Sequence, residues 1–169
     1  MFQISLTPPS APPAEYEVEM EFLDHYETTV MDICVRLRGT DVTFRVSGFG
    51  EEWRTEEVEL STFVEELPEA MAALRAGEPA VSWFYEQGLQ RKLFYYPEGD
   101  MVRIHCVPDE HAPGGEYAWE PNPDTEWVAR ADLDRMFHDV AVAFAQCARV
   151  VAPEALSYEP FSTWITGRT

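Results

Sequence analysis

Four histidines and three cysteines are the side chains of this chain best suited to catalysis or metal binding. His105 and Cys106 are a possible base and nucleophile, but neighbouring residues of a strand point to opposite faces and form no dyad with each other. His138 has one acid at helical spacing, Asp134, and no third ligand that would complete a metal site. We therefore predict no catalytic residue, no metal site and no cofactor.

Carboxylates are the other source of chemistry, since the chain has 31 Asp and Glu residues. Five side chains in a Pro- and Gly-rich stretch could ligate a divalent cation: Asp109, Glu110, His111, Glu116 and Glu120. Their spacing matches no calcium-binding loop. An acidic, metal-dependent hydrolase is therefore an alternative function rather than the first prediction.

The net charge is the most unusual property of the composition. Twelve Lys and Arg against 31 Asp and Glu give 12 − 31 = −19. A field of this sign repels phosphate backbones, so we predict no nucleic-acid binding. The same field attracts a basic protein and speeds its association. The alternative is that the acids only keep the protein in solution.

Acidic and aromatic residues occur together in two segments that we predict to be irregular or at a sheet edge. Protein interfaces depend on a few aromatic anchors surrounded by polar groups, and acids would guide a basic partner to them. We predict a partner-binding surface formed by Glu51, Trp53, Glu56, Glu57, Glu116, Tyr117, Trp119 and Glu120. In the alternative interpretation both tryptophans belong to the core, because Trp is usually well buried.

The cysteines and the chain ends indicate a cellular compartment. Cys34, Cys106 and Cys147 are odd in number and widely spaced, so we expect buried free thiols in a reducing cytoplasm. The first residues have neither a basic segment nor an apolar run typical of a secretion signal. No stretch approaches the roughly 20 apolar residues that a membrane span needs. The sequence therefore predicts a cytoplasmic protein that does not enter membranes.

The central stretch from Val81 to Val107 predicts the element around which the fold is organised. Apolar residues alternate with a period of two, which is typical of pleated strands. Glu86-Gln87-Gly88 and Pro97-Glu98-Gly99-Asp100 separate three such runs and favour chain reversals. We predict an antiparallel meander of three strands.

Further strands are predicted on both sides of this meander. They cover Phe2–Leu6, Tyr16–Phe22, Val30–Arg38, Val42–Ser47, an acidic strand or arm Glu51–Leu60, and Thr125–Ala131. The glutamates that alternate in Tyr16–Phe22 are expected to face water or to lie opposite Arg36, Arg38 and Arg45 in the neighbouring strands.

Two helices are predicted. Thr62 and Glu65 resemble a capping box, but Pro68 is expected to interrupt the helix, so that a short turn precedes a helix from Pro68 to Gly77. Asp132 is expected to cap a longer helix that Pro153 ends. Apolar residues recur along this second helix at helical spacing: Leu133, Met136, Phe137, Val140, Phe144, Ala148 and Val151.

The predicted fold is α+β: one antiparallel meander sheet of about seven strands, a short inserted helix and a C-terminal helix packed on one face of the sheet. We expect one domain over residues 1–169, with a Pro-rich N-terminal arm at 1–14 and an aromatic C-terminal tail at 153–169. Tyr158, Phe161 and Trp164 give this tail enough apolar area to dock on the domain.

The order of these segments resembles small acidic bacterial immunity proteins encoded beside polymorphic toxins, of the wall-associated-toxin type. The resemblance covers about Val58 to Phe144 and rests on V-E-L-S-T-F-V-E-E-L, V-S-W-F-Y, L-Q-R-K-L-F-Y-Y, G-D-M-V-R-I-H-C, T-E-W-V-A-R-A-D and L-D-R-M-F-H-D-V-A-V-A-F. It implies a non-enzymatic protein that binds and occludes a cognate toxin domain in the producer's cytoplasm. An adaptor or accessory subunit of a bacterial assembly is the other alternative.

Overall fold

A computed structural model of the chain describes residues 1–13, 23–55, 57–85, 91–108 and 121–167, with only the backbone described over 51–58. Its regular elements, in chain order, are β1 (Gln3–Thr7), α1 (Tyr26–Arg36), β2 (Thr43–Gly48), β3 (Glu51–Thr55), α2 (Glu57–Ala76), β4 (Ala80–Phe84), β5 (Arg91–Glu98), β6 (Met101–Pro108), β7 (Thr125–Ala129), α3 (Arg130–Val151), a 3₁₀ helix (Pro153–Ser157) and α4 (Phe161–Trp164). The predicted α+β class with antiparallel strands is confirmed. The predicted strand at Tyr16–Phe22 lies outside the described residues.

The seven described strands form two sheets, so the prediction of one meander sheet is wrong. One sheet has the order β1-β2-β3 and the other has the order β4-β5-β6-β7. The 20-residue helix α2 separates β3 from β4 and packs against both, which prevents these consecutive strands from pairing. The three-strand meander is confirmed as β4, β5 and β6, and Gly99 supplies the positive φ of 66° that the turn between β5 and β6 uses.

α3 is the central helix of the core. Its predicted apolar residues are buried except Met136, which is partly buried. It contacts β1 in one sheet and β6 and β7 in the other, so it does not lie on one face of a single sheet as predicted. The ring of Phe137 packs edge-on against Phe63 of α2 and Tyr95 of β5, both with ring centroids at 5.5 Å. Burying an aromatic side chain of this kind contributes about 1.5–3 kcal/mol to stability.

The predicted strand Val30–Arg38 is wrong, because this segment is helix α1. Its buried residues Val30, Ile33, Cys34 and Leu37 have the 3-1-3 spacing of one helical face. Arg36 therefore does not face a strand: its guanidinium donates to the Val151 carbonyl at 2.9 Å and pairs with Glu154 at 2.8 Å.

α2 is one continuous helix, so the predicted start at Thr62 and the break at Pro68 are also wrong. The Thr62 hydroxyl donates to the Glu59 carbonyl within the helix and does not cap it. Proline has no N–H to offer the carbonyl four residues earlier, that of Val64. The Tyr26 hydroxyl of α1 donates to this carbonyl instead. A contact from another element thus replaces the hydrogen bond that the proline removes.

The predicted C-terminal ends of both helices are confirmed. Gly77 has a φ of 79°, and Glu78 N–H donates to the Ala73 carbonyl, as in a Schellman motif that ends α2. α3 ends before Pro153, but it begins at Arg130 with no side-chain cap, so Asp132 lies in its first turn and is not the N-cap. In the C-terminal tail, Phe161 and Trp164 are buried and their rings pack against Tyr26.

Candidate functional site

One side of the four-stranded sheet carries most of the large hydrophobic residues that are exposed in the described chain. Along each strand, residues such as Phe84, Leu93 and Ile104 are buried toward α2 and α3, and the alternate residues point away from these helices. We call this second set the outer sheet face: Val81, Trp83, Tyr85, Lys92, Phe94, Tyr96, Glu98, Met101, Arg103, His105, Val107, Thr125, Trp127 and Ala129.

Five of the eight large hydrophobic residues that are exposed in the described chain lie on the outer sheet face: Val81, Trp83, Tyr85, Met101 and Trp127. The exposed fraction is 39% for Trp83 and 47% for Trp127. Scattered exposed apolar residues are normal, but a contiguous group on one face is typical of an interaction site.

The aromatic side chains of this face pack against one another and against cations. Trp83 and Tyr85 are in edge contact with ring centroids at 5.5 Å, and Phe94 and Tyr96 are stacked at 6.3 Å. Nζ of Lys92 lies 4.2 Å from the centroid of the Trp83 ring. Such cation–π contacts contribute about 0.5–1 kcal/mol at exposed sites. The rings are therefore held in place before any partner arrives.

Arg103 connects the centre of the outer sheet face with its far edge. Its guanidinium carbon lies 4.4 Å from the centroid of the Tyr96 ring, and its Nε pairs with Glu98 at 2.9 Å. On the other side, the register places Arg103 directly opposite Trp127 of β7. Trp127 is thus adjacent to Arg103, whose side chain is oriented by its contacts with Tyr96 and Glu98.

The outer sheet face differs from the rest of the chain in charge. Glu98 is the one acid among its fourteen residues and it pairs with Arg103, whereas the chain as a whole has a formal charge of −19. Lys92 is the only lysine of the chain and lies on this face with Arg103. Interface cores have few acidic residues and many aromatic residues, Met and Arg, and this face has the same composition.

His105 takes part in a polar cluster at the edge of this face. Its Nδ1 lies 3.3 Å from Oγ1 of Thr125 and 3.9 Å from Oδ2 of Asp124, and the Thr125 hydroxyl donates to Asp124. In a nucleophilic triad the acid orients the ring through the nitrogen opposite the one that accepts the nucleophile's proton. Here the acid and the hydroxyl are both on the Nδ1 side, so the cluster is not a triad.

The free edge of β4 is protected by an acidic residue of α2. The backbone N–H of Trp83 donates to Oε2 of Glu66 at 2.8 Å. Burial raises the pKa of Glu66, while the hydrogen bond from Trp83 opposes this change. A carboxylate on an edge N–H hinders pairing with a strand of another chain. A partner is therefore more easily accommodated on the flat face than along the edge.

The predicted partner-binding residues fall only partly within the described chain. Glu51 and Trp53 lie in β3, opposite Gly48 and Val46 of β2, and Glu57 begins α2. For these three residues the structure describes the backbone alone. The others lie outside the described residues: Glu56, Glu116, Tyr117, Trp119 and Glu120. The predicted surface therefore stays a prediction.

The residues of the outer sheet face were not predicted as a site. The signal was present, because Leu93-Phe94-Tyr95-Tyr96 is apolar at every position and thus gives the strand two apolar faces. A strand of this kind is either covered on both sides or exposes one apolar face. Its sequence cannot decide which, since the answer depends on where the helices pack.

The thiol groups of the described residues are buried. The three cysteines are free thiols in the core, as predicted, and burial raises the pKa of Cys147 to about 12. No three His, Cys, Asp or Glu side chains within the described ranges converge as a metal-binding group. Of the helices described, none has the length and apolar character to cross a bilayer.

Comparisons of the chain with protein-family models, with curated proteins and with solved structures found no match.

Proposed function

We propose that this protein is a non-enzymatic binding protein of the immunity type, which binds a toxin domain and occludes its active site. The observation that supports this proposal is the outer sheet face, where aromatic residues and cations are exposed on a sheet and Glu98, which pairs with Arg103, is the one acid. Trp, Tyr and Arg are the residues that most often dominate binding energy in protein interfaces.

The dimensions of the outer sheet face favour a macromolecule over a small ligand. Trp83 and Trp127 are three strands apart and separated by four residues along the register. Strand spacing and rise place their Cα atoms about 20 Å apart. A molecule that contacts both tryptophans must therefore be larger than most metabolites.

The area of the outer sheet face also limits the mode of binding. Four strands of this length present on the order of 400 Å². A stable complex usually covers about 800 Å² on each partner. The partner must therefore extend beyond the sheet onto neighbouring surfaces. The predicted acidic and aromatic surface at Glu51, Trp53, Glu56 and Glu57, and at Glu116, Tyr117, Trp119 and Glu120, is our proposal for this extension.

Charge and apolar area would have different effects in such a complex. The net charge of −19 attracts a basic toxin over distances of about one Debye length, roughly 8 Å at physiological salt. Contact with the aromatic side chains then sets the lifetime of the complex. The association rate should fall as salt is raised, and the dissociation rate should depend on Trp83 and Trp127.

The test is protection of cells that express the toxin encoded beside this protein. Wild type should restore growth, and the double variant Trp83→Ser/Trp127→Ser should lose protection. Truncating an anchor costs about 2 kcal/mol or more, or about 30-fold in Kd for each tryptophan. Met31→Ser is the matched control, because Met31 is 54% exposed but lies on α1, away from the sheet.

Two outcomes would contradict the proposal. One is equal protection by the double variant and wild type, provided that both melt at similar temperatures. The other is co-purification of the protein as a permanent subunit of a larger assembly with no effect on any neighbouring toxin, which would favour an adaptor.

A further inference from the structure

A cavity of about 520 Å³ opens at one end of the molecule, away from the centre of the outer sheet face. The last turns of α2 and the first turns of α3 form its walls, and the adjoining ends of β6 and β7 form its floor. Its lining residues are Met71, Leu74, Arg75, Asp100, Val102, Ala129, Arg130, Ala131, Leu133, Asp134 and Phe137.

The inner wall of the cavity is apolar. Leu74, Val102, Leu133 and Phe137 are buried core residues that line it. Met71 is also part of this wall, and its unbranched thioether side chain can adjust to the shape of a bound molecule. Small-molecule sites usually occupy about 300–1,000 Å³ and have predominantly apolar walls. The cavity has both properties.

Four charged residues line the cavity, and their formal charges sum to zero: Arg75, Asp100, Arg130 and Asp134. Nε of Arg75 pairs with Oδ1 of Asp134 at 2.9 Å, which connects α2 to α3 across the opening. The Arg130 guanidinium donates to the Leu74 and Arg75 carbonyls in the last turn of α2, and the Leu74 carbonyl also accepts from the Gly77 N–H. An anionic ligand would have to draw an arginine away from one of these acceptors and would also meet the Asp100 carboxylate, whereas a neutral ligand would leave both contacts in place.

We propose that this cavity binds a small, uncharged, apolar molecule. A cavity of about 150 Å³ with apolar walls already holds benzene, so 520 Å³ accommodates two or three fused or linked rings or an acyl chain of similar volume. The site is separate from the proposed toxin inhibition, because Ala129, at the end of β7, is the one lining residue that also belongs to the outer sheet face, and neither Trp83 nor Trp127 lines the cavity.

The test uses two fluorophores that differ in one charged group. N-phenyl-1-naphthylamine is neutral, and 8-anilinonaphthalene-1-sulfonate adds a sulfonate to the same ring system. Wild type should bind the neutral compound saturably at one site, with a blue shift of its emission. The sulfonate should bind at least about tenfold more weakly, because an apolar wall offers no partner for its charge.

Two variants, in each of which an alanine is replaced by tryptophan, locate the bound fluorophore. Ala131 is exposed at the cavity rim, and Ala72 is exposed on α2 but does not line the cavity. Ala131→Trp should narrow the opening and weaken binding of the neutral compound by about tenfold, while Ala72→Trp should leave it unchanged. In methyl NMR spectra of wild type, the compound should shift the resonances of Leu74, Val102 and Leu133.

The proposal is overturned if folded wild type shows no saturable binding of the neutral compound, or if Ala131→Trp and Ala72→Trp weaken that binding equally. It is also overturned if Trp83→Ser/Trp127→Ser abolishes binding while Ala131→Trp preserves it, since the fluorophore would then lie on the outer sheet face. Each of these results is independent of the toxin-protection test.

Discussion

Replacement of Tyr26 by phenylalanine tests how α2 tolerates a proline in its middle. The change keeps the ring, which packs against Phe161 and Trp164, and removes only the hydroxyl that donates to the Val64 carbonyl. Burial raises the pKa of Tyr26, so this hydroxyl is a protonated donor throughout the neutral range. A buried acceptor without its partner costs about 1–3 kcal/mol. For a chain of this length, Tyr26→Phe should lower Tm by about 4–8 °C if the loss is about 2 kcal/mol.

A second substitution tests whether the Tyr26 hydroxyl stabilises α2 because Pro68 lacks an N–H. Pro68→Ala supplies an N–H to the same Val64 carbonyl within the helix. In this background Tyr26→Phe should destabilise the protein by about 1 kcal/mol less than in wild type. The four proteins are compared by urea unfolding and calorimetry, with Tyr158→Phe as the control because Tyr158 is exposed. Equal losses from Tyr26→Phe in both backgrounds would refute the explanation.

Two further predictions concern the backbone and pH. Gly50 has a φ of 92°, and a Cβ there would lie 2.4 Å from the Asn122 carbonyl oxygen, so Gly50→Ala should cost about 2–4 kcal/mol of unfolding free energy. Gly39→Ala, at a φ of 76° with open space, should cost only about 1 kcal/mol; similar losses from both would show that the Asn122 contact is unimportant. Hydrogen bonds from the Ser10 hydroxyl and N–H hold the pKa of Asp41 below its usual value. This interaction stabilises the fold above the unfolded-state pKa of Asp41 and is lost as pH falls through the folded-state value. Ser10→Ala should raise the pKa of Asp41 in an NMR titration, and an unchanged value would contradict this assignment.

The meander was predictable because its signals are local. Alternation of apolar residues in β4, β5 and β6 and the reversal at Gly99 are encoded within a few residues of each strand. The helix α3 was predictable for a similar reason, since its long apolar stripe has one period throughout. Short-range patterns therefore determine the elements that form the second sheet and the centre of the core.

The wrong predictions of secondary structure arose because contacts between residues far apart in the sequence decide these segments. Val30–Arg38 contains several β-branched residues that favour a strand, and burial of one helical face against α2 and α3 outweighs that preference. Pro68 would break an isolated helix, and the hydroxyl that compensates for it comes from α1. No short window of sequence contains both partners of such a contact.

The candidate site was unpredictable for a different reason. The outer sheet face consists of alternate residues in strands that are apolar on both sides, and only the positions of α2 and α3 determine which side is exposed. The acidic and aromatic segments were predicted to bind a partner because their composition is unusual. Trp83 and Trp127 occur in ordinary strand patterns, which give no sign in the sequence that their side chains are exposed.

The position of Lys92 has a practical consequence for handling the protein. Reagents that acylate amines, and sensor surfaces that couple through them, have one lysine to attack, and it stands over the Trp83 ring. Immobilisation by this chemistry would tether molecules through Lys92 or through the α-amine of Met1, and those held by Lys92 would have the surface proposed to bind the partner blocked. Conversely, loss of acylation at this single position in a mixture would serve as a footprint of the complex that mass spectrometry can read directly.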